Sequence, residues 1–423
     1  MRPSRRQVVA GALAGCAAPK GKNAAEAAPA AVDTIVVVMM ENRSFDHFLG
    51  SRALLEGKAE DGLVAGMSNP DADGNIVEPY PNEVACVGDP GHGWGPSHDQ
   101  FNGGLNDGFV LDYGGPEVMQ YMTRADLPVT YALADAYAVC DAYFCSVMGP
   151  TWPNRFYGHA GTSDGQQDND FPTGGAFTFP TVWHKLSEAG IDWMYYYVDL
   201  PFLGLFDGLM AMEQYGGLED FEQDAANGKL PPVTWIDPGF TYCDDHPPHF
   251  VGMGQQFLAR VYSALANSPH WERCLLLITY DEHGGFFDHV APPTTEDDFA
   301  DLGFDQLGFR VPSIAIGPWV KQGVVSTVFN HASWLKMVCD MHGLTPWTKR
   351  IEAATSLAEC LDLDRMERNE PLPIVTVSAT EVSIDDLPAE CYGGGFGPPA
   401  PVLERWRRML PPEIASLVKD PFI

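Results

Sequence analysis

Basic side chains are scarce in this chain: 25 Lys and Arg stand against 57 Asp and Glu, a net charge of −32 over 423 residues. That balance argues against nucleic acid as a partner, because binding a phosphate backbone needs a basic face. It also disfavours long-range attraction to anionic membranes. Long apolar runs are missing as well. A stretch of about 9 apolar residues near the start falls far short of the roughly 20 a membrane span needs. No other stretch is apolar and long enough to cross a bilayer, so the body reads as soluble. Internal repeats are absent, and residues 32–370 show no linker-like break. One large α/β domain with long loops is therefore expected over 32–360, followed by a Pro-rich acidic tail over 361–423 draped on it.

What is present begins with Met1-Arg2-Pro3-Ser4-Arg5-Arg6-Gln7-Val8-Val9, a twin-arginine pattern, leading to Leu13-Ala14-Gly15-Cys16. Residues 1–15 read as an export signal, and the Leu-Ala-Gly-Cys ending resembles a bacterial lipoprotein box. Cys16 is then the expected lipid anchor and 16–31 an Ala-rich tether. The protein is expected in the periplasm or outside the cell, held at a membrane through Cys16. The chain has 9 cysteines. With Cys16 set aside, an even number remains, which permits disulfides in an exported chain without fixing their pairing. Cys140 and Cys274 sit in apolar runs and read as buried thiols.

Two apolar runs without alternation, 34–40 and 274–280, suit strands buried on both faces of a parallel sheet. The first runs into Glu41-Asn42, the second into Asp281-Glu282-His283-Gly284-Gly285. Ligands of open α/β sheets gather beyond the carboxyl ends of such strands. In one sheet these acids converge, and two carboxylates about 4 Å apart repel by roughly 4 kcal/mol at an effective dielectric near 20. Such a cluster calls for a cation or a shared proton.

Further strands are expected at 191–198, 233–236 and 311–316. Helices are expected at 126–138, 180–189, 218–226, 254–266 and 332–341. The alternation predicts a parallel sheet flanked on both faces. Residues 51–120, rich in Gly, Asp, Asn and Pro, read as long functional loops with little regular structure.

Between the acidic motifs lies Ser146-Val147-Met148-Gly149-Pro150-Thr151-Trp152-Pro153-Asn154-Arg155. A hydroxyl in a Gly-Pro turn, followed by an Asn-Arg pair, is what a metal-activated nucleophile at a helix entrance looks like. Taken alone, Thr151 fits better as a helix cap with Pro153 in the first turn. His98 and His246 sit in expected loops, where a histidine can give a proton to a leaving oxygen or stabilise anionic charge. His283 and His289 flank the second acidic motif.

Several long strings in one order carry a resemblance: Met40-Glu41-Asn42-Arg43-Ser44-Phe45-Asp46-His47, then Gly149-Pro150-Thr151-Trp152-Pro153-Asn154-Arg155, and Asp281-Glu282-His283-Gly284-Gly285-Phe286-Phe287-Asp288-His289-Val290. Asn102-Gly103-Gly104, Asp107-Gly108-Phe109, Asp244-Asp245-His246-Pro247-Pro248 and Arg310-Val311-Pro312 extend it. Over roughly residues 33–345 the chain resembles the bacterial phosphoesterase family of phospholipases C and acid phosphatase A. The resemblance implies an alkaline phosphatase-like three-layer sandwich, with a central mostly parallel sheet between helices.

It also implies that Glu41, Asn42, Asp281 and Glu282 hold one divalent metal ion. Thr151 is then both a ligand and the nucleophile that forms a phospho-threonine. Calcium, zinc, manganese and iron all remain open, and the oxygen-rich set points to a hard cation without choosing one. His98 and His246 are assigned to the transferred charge or the leaving alkoxide, and Asn154, His283 and His289 to substrate binding. Trp152 stands where many relatives have a polar residue, so the lip of the pocket differs. The expected function is phospholipase C type cleavage of phosphate esters, with phospholipid among the substrates. An acid phosphatase is the alternative, and a non-catalytic envelope lipoprotein that binds a phosphorylated ligand is the contrasting class. A sulfatase ranks lower, because the nucleophile position holds threonine. Oligomeric state is not legible.

Overall fold

Seven residues without a polar break, Thr34–Met40, form strand β1, buried from end to end. Such a strand needs neighbours on both edges and cover on both faces. The computed structural model, which describes residues 32–391 save 172–174, 210–211, 384–385 and 389–390, together with 404, 407–408, 412–416 and 418–419, supplies both. The export pattern, Cys16 and the tether lie outside the described residues.

The sheet is built from β1, β2 (Ala138–Val139), β3 (Trp193–Tyr197), β4 (Tyr215–Gly216), β5 (Val233–Asp237), β6 (Cys274–Tyr280), β7 (Ile314–Ile316) and β8 (Gly323–Val324), in the order β8-β2-β7-β6-β1-β5-β3-β4. β1 pairs in parallel with β5 and β6, and β3 in parallel with β5 and β4. β7 departs from the expected parallel strand. It runs antiparallel to both β6 and β2. The chain leaves β6 at Tyr280, builds the site loops beyond the strand ends, and returns down the sheet, so no crossover helix is needed.

Register partners share a face and consecutive residues alternate. Trp235 pairs with Tyr195 and Val37. Its ring lies 5.5 Å from Trp334 and 6.4 Å from Trp183, so helices Thr151–Ala160, Val182–Ala189 and Ala332–His342 cover this face. Tyr196 points the other way, 5.4 Å from Phe221, and there Leu218–Ala226 packs on Val251–Ala266, which in turn packs on Pro128–Ala136. This is the expected sheet between two helical layers. Helix 218–226 matches its expected bounds, while Val251–Ala266 begins three residues before the expected start at 254. Among the described residues no helix is long and apolar enough to cross a membrane.

The segment 51–120 is more regular than expected, with helices at Ser51–Glu56, Trp94–Phe101 and Phe109–Tyr113. Pro96 in the first turn of Trp94–Phe101 reads as a breaker in sequence, yet a helix start tolerates it. Cys86 in this region is bonded to Cys391, which ties a described part of the tail to the body. Cys140 and Cys274 are buried free thiols, as expected.

Candidate active site

Parallel pairing in the register Met40 with Tyr280 carries Glu41 and Asp281 off adjacent strand ends together. Asp281 Oδ1 then accepts the backbone N–H groups of Asn42 at 2.9 Å and Glu282 at 2.7 Å. Asn42 adopts the left-handed region at φ 58°. Its carbonyl lies so close to Gly284 that a Cβ there would sit 2.0 Å from Asn42 O, so position 284 accepts only glycine. The four carboxylate and amide side chains of the predicted ligand set, Glu41, Asn42, Asp281 and Glu282, are buried. Among them Asn42 Oδ1, Asp281 Oδ2 and Glu282 Oε1 have no hydrogen-bond partner. Glu41, Asp281 and Glu282 are not among the groups of described residues whose ligand atoms all lie within 4.8 Å of one another. Yet buried oxygens are rarely left unpaired, and carboxylate and amide oxygens are the donor type a hard cation takes. The residues therefore fit the ion the sequence implies.

Thr151 opens helix Thr151–Ala160, with Pro150 in the cap position and no side-chain cap bond. The capping alternative thus fails. Its hydroxyl instead donates to Glu41 Oε2 at 3.2 Å, and Thr151 is half-buried where Glu41 is buried. Asn154, expected at the substrate, spends its amide elsewhere. Nδ2 donates to Val147 O, Gly149 O and Pro150 O, and Oδ1 accepts from Val147 N. It fastens the turn that delivers Thr151.

One turn on, Arg155 is fully buried, a role the sequence did not disclose. It reaches Glu41 Oε1 at 2.6 Å, Asp237 Oδ1 at 2.8 Å and Met39 O at 2.9 Å. Burial pushes the Glu41 carboxyl up to about 7, more than Arg155 pulls it down. Burial likewise raises Asp281 well above the carboxylate range, helped by Glu41 and Glu282. Glu282 goes the other way: burial works against its charge, but His92, His283 and the Gly284 N–H outweigh it.

Of the histidines, His246 does reach this region. Its backbone N–H donates to Asp244 Oδ1, its Nδ1 donates to Pro247 O at 2.6 Å, and its ring stands 5.7 Å from that of His92. His98 sits on helix Trp94–Phe101, where its Nδ1 donates to Trp94 O and its ring packs on Trp94. The histidine of this segment that touches the acids is His92. Its Nε2 lies 3.2 Å from Asn42 Nδ2 and 4.0 Å from Glu282 Oε1. Its position between Gly91 and Gly93 was the signal that sequence reading passed over. Burial opposes its charge, but Glu282 and Asp89 outweigh this and raise its pKa. His283, expected at the substrate, is buried, donates from Nε2 to Gln100 Oε1 at 2.7 Å and flanks Glu282. Among the described residues two groups bring ligand atoms within 4.8 Å of one another, Asp89 with His92 and His246, and Asp46 with Asp288 and His289.

That second group places His289 in a separate knot, not among the acids beyond β1 and β6. His289 Nδ1 is 2.6 Å from Asp46 Oδ2, and Arg310 binds Asp288 Oδ1 at 2.9 Å and Asp46 Oδ1 at 3.2 Å. Burial opposes the imidazolium, yet Asp46 and Asp288 raise its pKa from 6.5 to about 9. A raised folded-state pKa means that the protonated pair stabilises fully below pH 6.5 and loses that contribution as pH climbs towards 9. The stability difference between wild type and His289→Asn is expected to be on the order of 2–3 kcal/mol below pH 6.5 and to vanish above pH 9. Paired thermal melts across pH 6 to 10 measure it, and a difference that does not move with pH refutes the charged pair.

The aromatic stretch Phe202, Leu203, Leu205 and Phe206 is buried and packs against Trp152, Phe156 and Phe177.

With this geometry in place, comparison with known proteins adds the following. The sequence model described as "Phosphoesterase family" matches residues 32–345. Non-specific phospholipase C1 of Arabidopsis thaliana is 37% identical over 335 residues, covering 70% of this chain and 62% of that protein. Phospholipase C B of Mycobacterium tuberculosis is 31% identical over 398 residues, 75% of each. The hemolytic phospholipase C of Pseudomonas aeruginosa is 30% identical over 404 residues, 76% of this chain and 54% of that protein. The chain thus spans less than two thirds of the first and third of these relatives.

Proposed function

Because the chain belongs to the phosphoesterase family, we propose that it hydrolyses phosphate esters with Thr151 as nucleophile and a divalent cation at Glu41, Asn42, Asp281 and Glu282, preferring phospholipase C type diesters. The observation that carries the reading is the Thr151 hydroxyl, half-buried and donating to Glu41 Oε2 at 3.2 Å, beside residues with three buried, unpaired oxygens. Names of the relatives support the diester preference.

The cation would lower the cost of ionising the hydroxyl and stabilise charge on the phosphoryl oxygens. This chain's own residues supply the rest. Thr151 Oγ releases its proton along the bond to Glu41 and attacks phosphorus, and the ester oxygen departs as an alcohol once it gains a proton. Water then attacks the phospho-threonine and frees Thr151. His246 donates from Nδ1 to Pro247 O, so its neutral form presents Nε2 as an acceptor. That suits it to take the proton of the attacking water, and the imidazolium so formed carries the proton that the next leaving alkoxide receives. Burial lowers its pKa, so the imidazolium gives that proton up readily. His98 stays in the proposal as a second aid to transferred charge. Its support is that Trp94, on which it packs, lies 3.3 Å from where a Gly149 Cβ would stand, just before Thr151.

The test is hydrolysis of p-nitrophenyl phosphorylcholine against p-nitrophenyl phosphate, with and without chelator. The diester is expected to turn over faster, and chelation to abolish activity until a divalent ion is restored. Faster monoester turnover moves the protein to the acid phosphatase side, and activity that survives chelation defeats the cation.

A further inference from the structure

We infer that His92 is a positioning residue for the cation site: it sets which end of the Asn42 amide faces the ion. The inference rests on the cation reading proposed above. Its basis is a chain of donors and acceptors that has one solution when the ring is neutral. His92 Nδ1 lies 2.7 Å from Pro90 O, and a carbonyl only accepts, so Nδ1 carries the proton. In the neutral ring, the form that a cation beside Asn42 and Glu282 would favour, Nε2 is then a lone pair. The atom 3.2 Å from it is Asn42 Nδ2, and an amide nitrogen only donates. One rotation of the amide satisfies this arrangement, with NH₂ on His92 and Oδ1 on the opposite side. Oδ1 is the buried oxygen without a partner.

Without His92 that rotation is undetermined. The Asn42 backbone is fixed on both sides, by the bond from its N–H to Asp281 and by its carbonyl against Gly284. Only the side-chain torsions remain. A flipped amide would present two N–H donors to the ion in place of an oxygen, and an N–H donor cannot ligate a cation. His92 itself is well held. Ser97 Oγ donates to His92 O at 3.2 Å, and Gln100 Nε2 donates to Gly91 O at 2.6 Å. A Cβ at Gly285 would stand 2.5 Å from Gly91 O, so the loop lies directly on the second acidic motif. Upstream, Cys86 anchors the same loop to Cys391. Both ring nitrogens of His92 are engaged, so it is not offered as a ligand. The Asp89, His92, His246 group therefore adds no second ion site through this ring.

Residues just outside a metal's ligands commonly govern affinity by 10- to 100-fold. Isothermal titration of chelator-stripped protein with Ca²⁺ alone and with Mn²⁺ alone reads this directly, without substrate. His92→Ala is expected to weaken binding by roughly 10- to 100-fold. His92→Gln, whose amide oxygen can accept from Asn42, should recover most of the loss. His92→Phe keeps the ring volume without an acceptor and should match alanine, which covers the case where the smaller residue fails to fold. Affinity of the Ala or Phe variant within about threefold of wild type, or a Gln variant no tighter than these, overturns the inference while leaving the site intact. Wild-type protein that takes up neither ion overturns the cation reading and this inference with it.

Discussion

Thr151→Ala is expected to lower phosphate-ester hydrolysis by roughly 10⁴-fold or more, the order seen when a covalent nucleophile is deleted. That loss corresponds to about 5.5 kcal/mol of transition-state stabilisation. The structure says why the fold should survive it. Thr151 makes no cap bond to its helix, and its one side-chain hydrogen bond is to Glu41. Alanine is also a better helix former than threonine. Thr151→Ser keeps a hydroxyl at the same place and should retain part of the rate. Steady-state rates on the p-nitrophenyl diester, with melting curves to verify folding, decide the matter. An alanine variant within tenfold of wild type would show that another group attacks phosphorus. A phosphate trapped on Thr151 by acid quench and located by peptide mass would be direct support.

How much of this was legible depended on whether the signal was local. An unalternating apolar run that ends on an acid is a local pattern, and it located Glu41 and Asp281 before their register was known. The same rule also reaches Asp237, at the end of β5, where the expected strand stopped one residue short. What the strand-end pattern cannot show is a partner. Arg155 meets Glu41 and Asp237 across more than 80 positions of sequence on either side, so nothing near it announces the pairing. The bonds of Asn154 to the 147–150 turn were hidden for a related reason: nothing in its neighbours says which carbonyls its amide meets. His98 and His92 lie in one Gly- and Pro-rich segment, and only the helix Trp94–Phe101 turns one into its own backbone and leaves the other on Asn42. The direction of β7 was hidden because apolar character fixes burial, not the sense in which a strand runs.

Arg155→Met is expected to destabilise the protein by about 3–5 kcal/mol, because it leaves buried carboxylates without their counter-charge. The guanidinium is fully buried between Glu41 and Asp237 and lies 3.9 Å from Asp281 Oδ2. Methionine fills much of the same volume, so packing alone predicts a small effect. For a protein of this size the loss amounts to a fall of roughly 3–6 °C in Tm. Asp237 holds two other partners, Trp235 Nε1 and the Tyr195 hydroxyl, so it can stay folded in place as a neutral amide. Asp237→Asn in the Arg155→Met background should therefore return part of the stability, which a purely steric account does not predict. Glu41 has the opposite fate. Burial already holds it near 7, with Arg155 the largest force keeping it that low, so the variant should hold a proton on Glu41 at neutral pH. In the proposed mechanism a protonated Glu41 cannot accept the Thr151 proton, so activity should fall beyond what unfolding explains. Thermal melts of the single and double variants, with rates taken well below each Tm, separate the two effects. A single variant that melts within 2 °C of wild type would mean that the carboxylates are neutral already and that Arg155 compensates nothing.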